Sequence, residues 1–193
     1  MPAEVMEKLI CDGSCGIELR MVLQAAPVLK GRKVSNMVCM NDRELSVVCE
    51  KLQGSGVSLM VLCSFRGRHL VLVFRRGALE VHLRKEECRS FLRIYGYRGE
   101  ELHLLLLRLH RRFSGFYEKK TVFPHEIGVF LGYPVCDIKG FLRNKGEGFL
   151  YSGYWKVYQD AEGAKALFLA FDQAREEALE EYMAGKGLLG IAC

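Results

Sequence analysis

Residues 57–74, VSLMVLCSFRGRHLVLVF, decide the fold class. Two runs rich in Val, Leu and Phe are joined across Arg66-Gly67, the pattern of a β-hairpin. The second arm alternates, with His69, Val71 and Val73 opposite Leu70, Leu72 and Phe74. Side chains of a strand point alternately to its two faces, and here both faces are largely apolar, so the hairpin is expected at the centre of the structure.

Working outward, KVSNMVCM (33–40) reads as a further strand. NDRELSVVCEKLQGSG (41–56) reads as a helix, with Asn41 or Asp42 as its cap and Gly54 to Gly56 as its exit. Residues 4–10 and 15–26 carry helical spacing, the second through Ile17, Met21, Val22 and Ala25, and this helix is expected to end before Pro27. Downstream, residues 79–95 and 100–114 read as amphipathic helices separated by YGYRG. Pro124 and Pro134 each suit the first turn of a helix, and Gly146 suits the exit of the second, which spaces Val135, Ile138, Phe141 and Leu142 along one side. FLYSGYWKVY (149–158) reads as a strand, and Asp160 caps a long helix striped by Ala164, Leu167, Phe168, Phe171, Ala174, Ala178 and Tyr182. The expectation is one α+β domain over residues 1–184, with a mostly antiparallel sheet of about four strands around the central hairpin. Residues 185–193 are expected to form a loose tail.

Length and composition agree with this. The chain has 193 residues, half of them apolar, enough for one sizeable core. No apolar run reaches the length of a membrane span, and the longest, LHLLLLRL (102–109), contains an arginine. Acidic residues stand where a signal peptide needs positive charge, so a cytoplasmic protein with no membrane association is expected. The eight cysteines fall mostly in apolar or periodic segments and are read as reduced, with Cys39, Cys49 and Cys63 as small buried hydrophobes. Cys11 and Cys15 have a three-residue gap that fits neither a CxxC motif nor a zinc knuckle. Charge is uneven: residues 66–120 hold fourteen Lys/Arg against six Glu, a net +8, whereas residues 160–182 carry a net −5.

Three clusters carry possible chemistry. His125 and Glu126 stand side by side, but the zinc-protease motif HExxH fails because the second histidine position is Val129. The pair reads either as a helix start or, with Asp137, as an acid/base group. In FLYSGYWKVY, alternation sets Tyr154, Lys156 and Tyr158 on one face as an aromatic platform with a cation, suited to a base, a flavin ring or a porphyrin. Lys139 and Arg143, on the less apolar side of the helix that carries Asp137, would complete the acid/base cluster with it and are expected, with the platform, among the ligand-binding residues. The basic stretch 66–120 is the third, a nucleic-acid footprint or an ordinary solvated surface. No phosphate loop, dinucleotide fingerprint or nucleophile elbow occurs.

FPHEIGVFLGYPVCDIKGF, then NKG, then GYWKVYQD, resembles the signature of the clostridial family catalogued as domain of unknown function 3793, and APVLKGRKVSN and RRGALEVHL extend the likeness. The resemblance implies a one-domain cytoplasmic protein of anaerobic bacteria. It carries over no catalytic residues and no cofactor. It associates such proteins with flavodoxin-like and iron-related partners, an accessory redox or iron-linked role. Many members have cysteine where this chain has Ala25, and some where it has Tyr151, so a thiol function at either position is absent here. Three functions are therefore expected as alternatives. The first is a non-enzymatic protein holding an anionic aromatic ligand or a protein partner. The second is an enzyme using His125 with Glu126 and Asp137, and the third an RNA-binding protein using residues 66–120.

Overall fold

The computed structural model describes residues 16–193. The helix expected over 4–10 and the Cys11–Cys15 pair lie outside the described residues. The elements in chain order are α1 (Ile17–Leu29), β1 (Ser35–Met40), α2 (Asp42–Lys51), β2 (Val57–Phe65), β3 (Arg68–Arg75), α3 (Arg76–Leu83), α4 (Glu86–Ile94) and α5 (Leu102–Tyr117). There follow α6 (Ile127–Phe130), α7 (Val135–Arg143), β4 (Tyr151–Ser152), β5 (Lys156–Val157), α8 (Ala161–Met183) and α9 (Leu188–Ala192).

The hairpin organises the rest. Arg66 and Gly67 take φ of 48° and 72°, the left-handed pair that matches the twist of two antiparallel strands, and glycine takes the second place without strain. β3 pairs antiparallel with both β1 and β2, giving the order β1-β3-β2 with a register shift between Val61 and Cys63. Its alternation divides the core as expected. Val71 and Val73 pack with α1, α2, α9 and the end of α8, whereas Leu72 and Phe74 pack with α3, α4, α5, α6 and α7. A sheet with helices on both faces needs two apolar faces on its central strand, and β3 has them. A third cluster joins Trp155 and Val157 to Phe168 and Phe171 of α8.

The caps follow chemistry. Asn41 accepts from the Glu44 N–H at 2.9 Å while Glu44 accepts from the Asn41 N–H at 2.8 Å, a reciprocal capping box at α2. Asp160 accepts from the Gly163 N–H at the start of α8.

Five expectations are corrected. α1 continues through Pro27 to Leu29; the ring forfeits one backbone bond in the last turn, and the burial of Ala25 through Leu29 outweighs that loss. The helix expected over 79–95 is two, broken at Arg84-Lys85. The segment 149–158 is not one strand but a two-stranded hairpin, β4 with β5, turning at Gly153–Trp155, so the sheet of four strands is a sheet of three plus this separate ribbon. The tail folds: α9 buries Leu188, Ile191 and Ala192 against α1, and the Arg75 guanidinium donates to the Ala192 carbonyl at 2.6 Å. Of the three cysteines read as buried, only Cys63 is; Cys39 and Cys49 are exposed. All six cysteines among the described residues are free.

Candidate functional site

The segment from Pro124 to Leu131 is buried, apart from the half-buried His125, although only Ile127–Phe130 is helical. It is held by polar side chains that satisfy its backbone. Ser35 Oγ donates to the Phe130 carbonyl at 2.6 Å, and His82 Nε2 donates to the Val129 carbonyl at 3.0 Å. Sheet and α3 thus fix the turn on which His125 and Glu126 stand.

The two neighbours then part. Glu126 is fully buried, and its carboxylate takes a bidentate pair from Arg112 (Nε–Oε1 2.7 Å, Nη2–Oε2 3.3 Å) and the hydroxyl of Tyr97 at 3.3 Å. Burial, then the charge of Glu126, holds the Tyr97 phenol well above its ordinary pKa, so it stays a donor. This buried pair bolts α5 to the turn. His125 instead faces a cleft of about 230 Å³ with Phe123, Tyr133, Phe141 and Trp155 among its walls and Asp137, Tyr154 and Lys156 at its borders. Its ring lies between Phe123 at 5.0 Å and Phe141 at 5.6 Å. Burial lowers its pKa and the charge of Glu126 opposes only in part, so at neutral pH the imidazole is uncharged, with one N–H and one acceptor nitrogen.

The partners of the other histidines set His125 apart. His69 bridges Ser64 and Asp42, His82 meets Val129, His103 meets Glu101 and His110 meets the Val61 carbonyl. The ring nitrogens of His125 have no protein partner among the described residues. Spacing along the chain carried little signal of this difference, because the partners of His69, His82 and His110 come from other elements and only that of His103 is local.

Asp137 lies at the cleft but is not free to act as a base. Its Oδ2 accepts from Trp155 Nε1 at 2.8 Å and its Oδ1 from the Tyr158 N–H at 2.7 Å, so it clamps α7 to β5. The Trp155 ring stacks on Tyr133 at 4.8 Å and meets Phe168 edge-on at 4.5 Å, which makes a rigid aromatic wall. Tyr154 is tied to α8: its hydroxyl donates to Asp172 at 2.9 Å and accepts from Arg175, and burial raises its pKa. Lys156 Nζ donates to the Gly146 carbonyl at 2.7 Å, lies 4.7 Å from the Phe149 ring and has no carboxylate partner among the described residues.

The platform of Tyr154, Lys156 and Tyr158 is therefore divided. Tyr158, just past the end of β5, has its N–H held by Asp137 and packs on Gly140 of α7, where an added Cβ would clash with its side chain. Tyr158, Lys139 and Arg143 line a different groove, with Glu87, Cys136 and Gln159. His125, Asp137, Tyr154 and Lys156 are brought together; Glu126, Tyr158, Lys139 and Arg143 are not. Sequence reading missed Phe123, Tyr133 and Phe141 as cleft residues. No group of three His, Cys, Asp or Glu side chains gathers to hold a metal ion among the described residues, and no helix among them is long and apolar enough to cross a membrane.

Comparison with known proteins bears on the whole of this architecture. Neither the curated proteins nor the solved structures contain a match. A family model described as "Protein of unknown function (DUF3793)" matches residues 21–192, from the buried Met21 of α1 through α9. By that match the chain belongs to the DUF3793 family.

Proposed function

We propose that this is a cytoplasmic ligand-binding protein whose aromatic cleft holds a small planar molecule carrying an anionic group. The observation that carries the reading is His125, a half-buried imidazole without a protein partner among the described residues, set between aromatic rings in a mostly apolar cleft. Such sites bind by apolar area and orient by a few polar groups. His125 offers one donor and one acceptor to the edge of a ring system, and Lys156 stands at the rim as an ammonium for an anion. The cleft is smaller than the 300–1,000 Å³ or so of drug-sized sites, so a nucleobase or a flavin ring suits it better than a porphyrin.

The geometry favours binding over acid/base catalysis. Glu126 is committed to Arg112 and Tyr97, and both oxygens of Asp137 are occupied by donors. A flavin ring would also accord with the redox-linked accessory role and flavodoxin-like partner implied by the family resemblance.

The test is anaerobic purification, with absorbance spectroscopy and mass spectrometry of any released molecule. Titration with riboflavin and FMN follows, read by the emission of Trp155, the single tryptophan. Quenching is expected with both. His125→Ala should weaken both about tenfold, the loss of a buried hydrogen bond with its packing, and Lys156→Ala should weaken FMN more than riboflavin. A protein that carries no ring compound and whose emission responds to neither flavin overturns the reading.

A further inference from the structure

A second cavity, of about 420 Å³, opens where α3, α4 and the loop 95–101 meet. Its floor includes the buried Leu83, Leu92 and Leu105, and its rim carries Arg84, Arg89, Arg93 and Arg98. Two features of the chain produce this rim. Arg89 and Arg93 are one helical turn apart on α4 and share a face. The break at Arg84-Lys85 and the loop after α4 then bring Arg84 and Arg98 to the same opening.

Acidic compensation is partial. Glu100 pairs with Arg89 at 2.5 Å and Glu86 reaches Arg93 at 3.6 Å, while Arg84 and Arg98 have no carboxylate within ion-pair distance among the described residues. Beyond Arg98 a shallower groove continues to Arg108 and Arg111. All six cations on this face are arginine. A guanidinium offers a planar fork of donors that matches phosphate oxygens, whereas a lysine offers a point charge. The apolar floor beneath the rim adds what a free inorganic anion does not need, a surface for a ring.

We propose that this cavity binds a nucleoside polyphosphate, its phosphates across Arg84, Arg89, Arg93 and Arg98 and its base over Leu83, Leu92 and Leu105. The site stands on different elements from the aromatic cleft and is independent of it. Glu100 pairs with Arg89, so an incoming phosphate competes with that carboxylate.

The experiment is calorimetric titration of the full chain with ATP, inorganic pyrophosphate and single-stranded RNA of 6 and 12 nucleotides, at low and moderate salt. ATP is expected to bind saturably, more tightly than pyrophosphate, and to weaken as salt rises. Arg98→Gln should weaken ATP about tenfold, since charge-assisted hydrogen bonds are the strong ones. Glu100→Gln should tighten it severalfold by freeing Arg89, and because both positions are exposed the two opposite shifts do not depend on stability. Lys51→Ala, on α2 and lining neither cavity, should leave ATP binding unchanged. Absence of saturable ATP binding at low salt, or ATP binding indifferent to Arg98→Gln and Glu100→Gln, overturns the proposal. RNA that binds more tightly than ATP, with affinity growing from 6 to 12 nucleotides, also overturns it and assigns the face to RNA.

Discussion

Replacing Lys33 with methionine should stabilise the protein, although it removes a charge and a hydrogen bond. Lys33 is 7 % exposed. Its ammonium donates to Asn36 Oδ1 at 3.1 Å and lies 5.5 Å from the Tyr133 ring and 5.9 Å from that of Phe171, with no carboxylate partner among the described residues. Burial lowers its pKa from 10.5 to about 8. The charged form is thus disfavoured in the folded state, and the unfolded chain binds the proton more tightly. Between pH 8 and 10.5 the unfolded state holds more protons, so this group makes stability rise with pH across that window and leaves a constant penalty below it. At about 1.36 kcal/mol per unit, the shift corresponds to roughly 3 kcal/mol at pH 7. Loss of the Asn36 hydrogen bond and the ring contacts offsets about 1 kcal/mol of the gain. Lys33→Met, which keeps the apolar stem, should therefore gain about 2 kcal/mol at pH 7, or some 4–8 °C in Tm. Urea unfolding of both proteins at pH 7 and at pH 9.5 measures it, and the gain should shrink at the higher pH. A variant that is less stable at pH 7, or whose advantage is the same at both pH values, refutes the reasoning.

Three further outcomes are expected. Arg112→Leu strands the carboxylate of Glu126 in the core and should cost about 3–5 kcal/mol in urea unfolding, with Glu126→Gln in the same chain restoring part of it. Asp137→Asn sets an amide where two donors converge, so it should cost about 1–3 kcal/mol and shift the emission of Trp155, whose Nε1 loses its charged acceptor. Alkylation followed by mass spectrometry should label Cys39, Cys49 and Cys193 before Cys63 and Cys88, which are buried and whose thiols burial pushes up, that of Cys88 to about 11.

Local patterns carried most of the fold. The period-two alternation of residues 69–74 already specified a strand with two apolar faces, and that property alone places helices on both sides of the sheet. Asn41 and Asp160 marked their helix starts because the capping hydrogen bonds span only three residues. Where reading failed, a tertiary contact had overridden the local signal. Pro27 was expected to end a helix, but the packing of α1 carries it through; the terminal segment was expected to be loose, but α1 and Arg75 hold it.

The site divides in the same way. Sequence alone identified His125, Tyr154 and Lys156 as residues of interest, because residue type and proximity to an aromatic run are local facts. It had no means to tell that Glu126, adjacent in the chain, would be drawn to Arg112 and Tyr97, or that contacts with α7 would hold Tyr158 in another groove. A change of direction over a few residues reverses which side chains share a face, and the partner of a buried charge is chosen by packing between elements far apart in the chain. Composition and periodicity therefore determined which chemistry this protein contains, and only the tertiary structure decided which of those groups meet: a histidine between the rings of an aromatic cleft, and four arginines around an apolar cavity.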